Sequence, residues 1–202
     1  MSSHFGARRR RDPTQERGRR RVERLLRAAE RVIADSGYEA ATMCEVARRA
    51  HSAVGSLYQF FPNKESLAEV LRESFTEEYE EFWKADSSRS QKQTLERLVE
   101  RLLSFPLGMA RRHPAFLPLL DLPPSRGSRQ RHERMRQRMA TVVRAGRPEL
   151  SPATALRLAD VLRQVIKGCL VLYARASPEE REGIVKEFRF LIAAYLRERL
   201  GE

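Results

Sequence analysis

The residues whose types and spacing could do chemistry lie between Thr42 and Leu67, TMCEVARRAHSAVGSLYQFFPNKESL, and that chemistry is non-covalent. Thr42 followed three residues on by Glu45 is a capping-box pair, in which each side chain can satisfy a backbone N–H left open at a helix start. Met43, Val46, Ala47 and Ala50 then recur at i, i+3, i+4 and i+7, one apolar face of a short helix. The pattern stops at His51-Ser52-Ala53, and a second short helix opens near Val54. At about 100° per residue, Leu57 and Phe61 fall on one side of it, and Gly55 and Gln59 fall opposite, flanked by Ser56 and Tyr58. Docking Leu57 and Phe61 on the first helix leaves a small, polar face with one tyrosine for the major groove of duplex DNA. Pro62 ends this helix, because the residue before a proline resists the α region. Asn63 can cap the next helix. Lys64 in its first turn opposes the helix dipole, a cost that a phosphate would offset.

This helix-turn-helix resembles the DNA-binding motif of the TetR family of bacterial regulators. VGSLYQFFPNKESL is close to that family's wording, and Ala28 to Thr42, with Gly37-Tyr38 ahead of the threonine, fits as well. The resemblance covers roughly residues 20 to 70. It implies that Val54, Gly55, Ser56, Tyr58 and Gln59 face DNA, with Ser52 and Ala53 beside them at the helix start. Thr42, Tyr58 and Lys64 would mainly hold phosphates, which fix position and carry no sequence information. Two residues depart from the pattern. His51 stands where the family has Gly, and Ala53 where it has Ser or Thr. Ala53 cannot cap, so Ser52 is an alternative cap that would move the helix start by one residue. Val54 is open to two readings: its azimuth near Leu57 assigns it to the core, and the resemblance sends it to the groove.

Composition points the same way. A net charge of +12 in 202 residues suits a polyanionic partner as well as a solvated basic surface. Forty-one per cent hydrophobic and 33 % charged residues describe a globular chain. No apolar run approaches the ~20 residues that span a bilayer. With no apolar signal core at the start, the expected location is cytoplasmic. Cys44 and Cys169 form no disulfide framework and are expected as small buried hydrophobes. The four histidines share no ligand spacing, and neither a phosphate loop nor a nucleophile motif is present, so neither a metal, a cofactor nor an enzymatic role is expected.

The elements that must position this motif read as helices throughout, and the expected fold class is all-α. Residues 1–16, with Arg8 to Arg11 in a run, form a disordered basic arm, serving either solubility or extra phosphate contact. Residues 17–63 form a three-helix DNA-binding domain. Its first helix spans roughly Arg19 to Ser36, with Val22, Leu25, Leu26, Ala29, Val32 and Ile33 inside and Gly37 as its stop. Residues 64–202 form a helical regulatory and dimerisation domain. Its first helix carries Leu67, Val70, Leu71, Phe75, Tyr79 and Phe82 on one side to about Lys84, and Ala85 to Lys92 is the clearest loop. A helix from Leu95 closes near Pro106, residues 107–124 bend at four prolines, and a basic helix holds Met135, Met139, Val142 and Val143 inside. Ser151-Pro152 and Ser177-Pro178 open the last two helices.

Those last helices are apolar on more than one side, which calls for a second partner. In the TetR resemblance they meet their copies in a four-helix dimer interface, assigned here to Leu158, Val161, Leu162, Val165, Cys169 and Leu172 with Phe188, Leu191, Ile192 and Tyr195. The resemblance also implies an effector cavity, for which Phe75, Tyr79, Phe82, Trp83, Phe105, Met109, Phe116, Met135 and Met139 are candidates. These residues suit a plain core equally well. As a pocket they suggest an apolar or cationic aromatic compound. The expected function is a homodimeric repressor, released from a pseudo-palindromic duplex operator by a small molecule. The competing reading is a basic protein that binds nucleic acid without sequence preference.

Overall fold

The computed structural model describes residues 13–87, 94–120, 122, 128–145, 147 and 149–201. Every regular element among them is a helix: α1 (Pro13–Ala40), α2 (Met43–Arg49), α3 (Val54–Phe60), α4 (Lys64–Ser87), α5 (Leu95–Arg112), α6 (Phe116–Leu120), α7 (Ser128–Ala145), α8 (Pro152–Arg175) and α9 (Pro178–Leu200). The chain divides into two compact units between Leu67 and Ala68. Sequence reasoning put that division four residues earlier.

In the first unit, α1 supplies the floor. Leu25, Ala28, Ala29, Val32 and Ile33 are buried on one stripe, and Met43, Val46 and Ala47 of α2 and Leu57 of α3 complete the core. The helix begins at Pro13, so the last residues assigned to the basic arm are helical; residues 1–12, including Arg8 to Arg11, lie outside the described set. At Gly37 the backbone takes φ 78° and ψ 163°, a conformation open essentially to glycine, and α1 kinks there before a final turn to Ala40.

In the second unit, α7 packs on α8, α9 packs on both α5 and α8, and α6 sits against α5 and α8. The core includes Trp83, Val99, Leu102, Leu103, Met109, Leu119, Leu162, Cys169, Ile192 and Leu196. Salt bridges tie α7 to its neighbours: Arg131 to Glu69, Arg134 to Glu73 and Glu80, and Arg136 to Asp160.

Several expectations change here. α5 runs through Pro106 to Arg112, where a stop was expected. The proline removes the donor that would reach the Leu102 carbonyl, but Phe105, Leu107 and Met109 are buried on both sides of it and hold the helix. Ala85 to Ser87, expected as loop, finish α4, and residues 88–92 lie outside the described set. Val70, expected inside, is 41 % exposed.

The two framed starts behave as their residues demand. The Ser151 hydroxyl accepts from the Thr154 N–H, and Ser177 and Glu180 close a full capping box, with Pro at the first helical position in both. Ser177→Ala should therefore destabilise the chain by about 1 kcal/mol, read as a lower urea midpoint at unchanged m-value; an unchanged midpoint would show that α9 needs no cap.

Candidate nucleic-acid interface and ligand cavity

The turn between α2 and α3 is built on one residue in an unusual state. His51 has φ 49°, the left-handed region that favours Gly. The Ser52 N–H reaches back to the Ala47 carbonyl, and the His51 N–H to that of Arg48. α3 then starts at Val54 with Ala53 as its cap residue and no side-chain cap. Ser52 does not replace it: its hydroxyl is buried without a hydrogen-bond partner. The one-residue shift that a Ser52 cap would cause is therefore absent.

Leu57 and Phe61 are buried, as their side of the wheel requires. The opposite face is presented outward: Gly55 and Gln59 are exposed, Tyr58 is 46 % exposed, and Ser56 is half-buried. Val54 is 36 % exposed, so the structure sends it outward and away from the core. Phe60, at 39 %, joins this surface unforeseen. A Cβ built on Gly55 would meet nothing within 4 Å, so packing within the unit gives no reason for glycine there.

At the flanks, the Thr42 hydroxyl accepts from the Glu45 N–H at 3.2 Å. Only this half of the expected capping box forms. The Glu45 carboxylate turns to Arg48 at 2.6 and 2.7 Å, and the Arg48 hydrogen bond and charge hold it below the usual carboxylate range. Asn63 caps α4, accepting from the Ser66 N–H at 2.7 Å. The Lys64 ammonium donates to the Tyr38 and Glu39 carbonyls, both at 2.9 Å, and lies 4.5 Å from the centroid of the Tyr38 ring. These carbonyls and the ring supply the offset that sequence reasoning assigned to a phosphate. Cys44, expected inside, is exposed. Cys169 is buried, which pushes its thiol up to about 11.

The second unit holds a cavity of about 430 Å³, within the range of small-molecule sites, about 300–1,000 Å³. Seven of the nine pocket candidates line it: Phe75, Tyr79, Trp83, Phe105, Phe116, Met135 and Met139. Met109 does not, being fully buried as core. Phe82 faces a separate hollow with Glu78, Glu81, Ser104, Phe105 and Arg112, its ring tilted against that of Phe105 with centroids 4.5 Å apart. Sequence reasoning missed the polar lining: Arg72, Thr76, Arg131, His132, Arg163, Gln164 and Lys167. A signal existed. Arg72 and Thr76 share the helical face of Phe75 and Tyr79, at i, i+4 and i+3, i+7. Burial holds the Tyr79 phenol above its usual range, against the opposing influence of Arg138, the Trp83 indole and Arg163; its hydroxyl finds no partner at hydrogen-bond geometry.

The residues assigned to a dimer interface separate into two groups. Leu158, Leu162, Cys169 and Ile192 are buried within the chain's own core, because α8 and α9 pack on each other and on α5. Val161, Leu172 and Leu191 are exposed, and Val165, Phe188 and Tyr195 are half-buried. Phe190, outside the expected stripe, is 69 % exposed.

A three-helix unit that presents a short helix outward, followed by a second helical unit, is the construction of a helix-turn-helix DNA-binding regulator. Residues 25–71 match the model of the bacterial regulatory proteins of the tetR family, and residues 94–196 match the tetracycline repressor-like C-terminal domain. The chain belongs to the TetR family and is a DNA-binding transcriptional regulator. Over 49 residues it is 47 % identical to the HTH-type transcriptional repressor KstR of Mycolicibacterium smegmatis, a match spanning 24 % of this chain and 24 % of that repressor. A TetR-family regulator from Streptomyces coelicolor shares the fold with a TM-score of 0.70 and 26 % identity, over 89 % of this chain and 99 % of that one. A transcriptional regulator from Aquifex aeolicus does so at 0.65 and 19 %, over 87 % and 99 %.

Two substitutions test the turn and the presented face. His51→Gly should stabilise the chain by roughly 0.5–1 kcal/mol, relief of the left-handed strain exceeding the added freedom of the unfolded chain. Gly55→Ala should also stabilise it by up to about 1 kcal/mol while weakening DNA binding, since the added methyl meets only the partner. Thermal melts and a DNA titration on each variant read both effects; tighter or equal binding by Gly55→Ala would show that this face stands off the DNA.

Proposed function

We propose that the chain is a homodimeric repressor that holds a pseudo-palindromic operator through the exposed face of α3 and releases it when a small molecule enters the cavity. The observation that carries this reading is the division of α3: Leu57 is buried while Val54, Gly55, Tyr58 and Gln59 face outward. Ser52, Ala53 and Ser56 border that face, and Thr42 and Lys64 flank it; phosphates are their proposed partners, for Lys64 in addition to the two carbonyls that its ammonium already meets. A two-fold dimer presents two such helices to two half-sites. The exposed apolar side chains Val161, Leu172, Phe190 and Leu191 supply the surface for the second copy, with Val165, Phe188 and Tyr195 beside them. Release is a shift of population: the effector favours a spacing of the two reading helices that no longer fits both half-sites, with a coupling of about 1–3 kcal/mol. α4 is a continuous helix that begins in the first unit and contributes Arg72, Phe75, Thr76, Tyr79 and Trp83 to the cavity wall. No helix among the described residues is long and apolar enough to cross a membrane, in keeping with action on DNA in the cytoplasm.

Selection from random duplex DNA, followed by titration of the enriched site against scrambled DNA at two salt concentrations, tests the reading. A palindrome bound at least ~10³-fold more tightly than scrambled DNA is expected. No enriched sequence, with a steep salt slope on any duplex, would reduce the chain to a basic nucleic-acid binder. On the enriched site, Tyr58→Ala should weaken binding to all sequences, and Gln59→Ala should relax preference at one base position at a cost of roughly 1–3 kcal/mol. Unchanged affinity in both variants would mean that the groove face is wrongly assigned.

A further inference from the structure

The cavity lining combines two chemistries. Phe75, Tyr79 and Phe116 give one side an apolar, aromatic surface. Edge-on contacts lock it, with Phe75 5.6 Å from Phe116 and Tyr79 5.7 Å from Phe105 between centroids. Basic groups interrupt an otherwise largely apolar lining: Arg72 from α4, Arg131 and His132 from α7, and Arg163 and Lys167 from α8. No Asp or Glu is among the described residues that line the cavity. Arg131 is answered from outside the lining by Glu69. Arg163 is not answered at its Nε, which is buried with no hydrogen-bond partner. His132 is exposed on part of its surface, and partial burial, followed by the positive charges of Arg163, Arg72, Arg131 and Lys167, holds its imidazole below its ordinary value. Arg163 therefore brings positive charge to the cavity lining, and a cationic compound, the expectation from the aromatic residues alone, would be repelled by it.

We propose that the cavity takes an amphiphile with an anionic head, a carboxylate or a phosphate, met by Arg163 and His132, with its apolar tail against the aromatic wall. The inference rests on the effector reading only for its regulatory meaning, since binding can be measured without DNA. An anion beside Arg163, which also lines the cavity, meets a guanidinium with charge-assisted hydrogen bonding, which a neutral head supplies more weakly and a cationic head not at all.

Calorimetric titration of the full chain with dodecanoate, dodecyl phosphate, dodecanol and dodecyltrimethylammonium, each below its micellar concentration, tests this. At least one anion should bind about tenfold or more tightly than the alcohol and the cation, and the stronger of the two anions identifies the head group. Arg163→Gln should remove most of that preference and Arg163→Lys should keep it, with melting temperatures confirming that both variants fold. The proposal is overturned if the alcohol or the cation binds as tightly as the anions, if neither anion binds, or if Arg163→Gln keeps the preference. Adding the bound anion to a complex with the selected operator then separates the two readings: binding without release removes the effector role and leaves the ligand class standing.

Discussion

A seven-residue helix cannot stand alone in water. Too few hydrogen bonds are made to offset the ordering of its first turn, so α2 and α3 exist only as far as their buried side chains are held. Everything about the outward face of α3 follows from that constraint. Leu57 and Phe61 anchor α3 on one side, Val46 and Ala47 anchor α2, and α2 packs on both α3 and α1, whose stripe from Leu25 to Ile33 is buried. Because the anchors occupy one azimuth, the residues left outward are fixed in register. The loop between the helices has no freedom either: His51 reverses the chain in the left-handed region, and backbone hydrogen bonds return to Ala47 and Arg48. The surface that α3 presents outward is set by what the unit hides.

The second unit uses a different device. Helices α4 and α7 carry many charges, and these meet as Arg131 with Glu69 and Arg134 with Glu73 and Glu80. Charged residues thus hold a wall that is apolar on its inner side at Phe75, Tyr79 and Met139. Such pairs add modestly to stability when half exposed, but they position arginines, and the same helices turn other basic groups toward the cavity. Pro106 belongs to the same arrangement. It lies in a helix whose neighbours are too apolar to leave the core, and both it and Leu102, whose carbonyl loses its usual donor, line the cavity.

The sequence carried the helical class, the cap-framed starts at Ser151 and Ser177, and the inside and outside of α3, because each rests on local periodicity or on a residue whose chemistry permits few positions. It misled where tertiary burial overrode a local rule. Pro106 reads as a stop until Phe105 and Met109 are seen to be buried around it. Glu45 reads as a capping partner until Arg48 competes for its carboxylate. Cys44 reads as core, yet its helix turns it to solvent. The cavity's aromatic half was visible because aromatics are few. Its basic half was hidden among 39 lysines and arginines, any of which could have been surface. On α8 and α9, an apolar stripe could not say which side faced the chain's own core, and Leu158 and Ile192 turned inward while Phe190 turned out.

Trp83 is the chain's single tryptophan, and it lines the cavity at 2 % exposure, with Tyr79 at 6.2 Å and the Arg101 guanidinium 4.4 Å from its ring centroid. An indole so placed emits from an apolar site, with a cation close enough to perturb its excited state. No other indole dilutes the signal. Any change in colour, intensity or anisotropy of the protein's own fluorescence therefore reports on the cavity wall, and the protein can be followed optically, without a label, while it is bound to DNA.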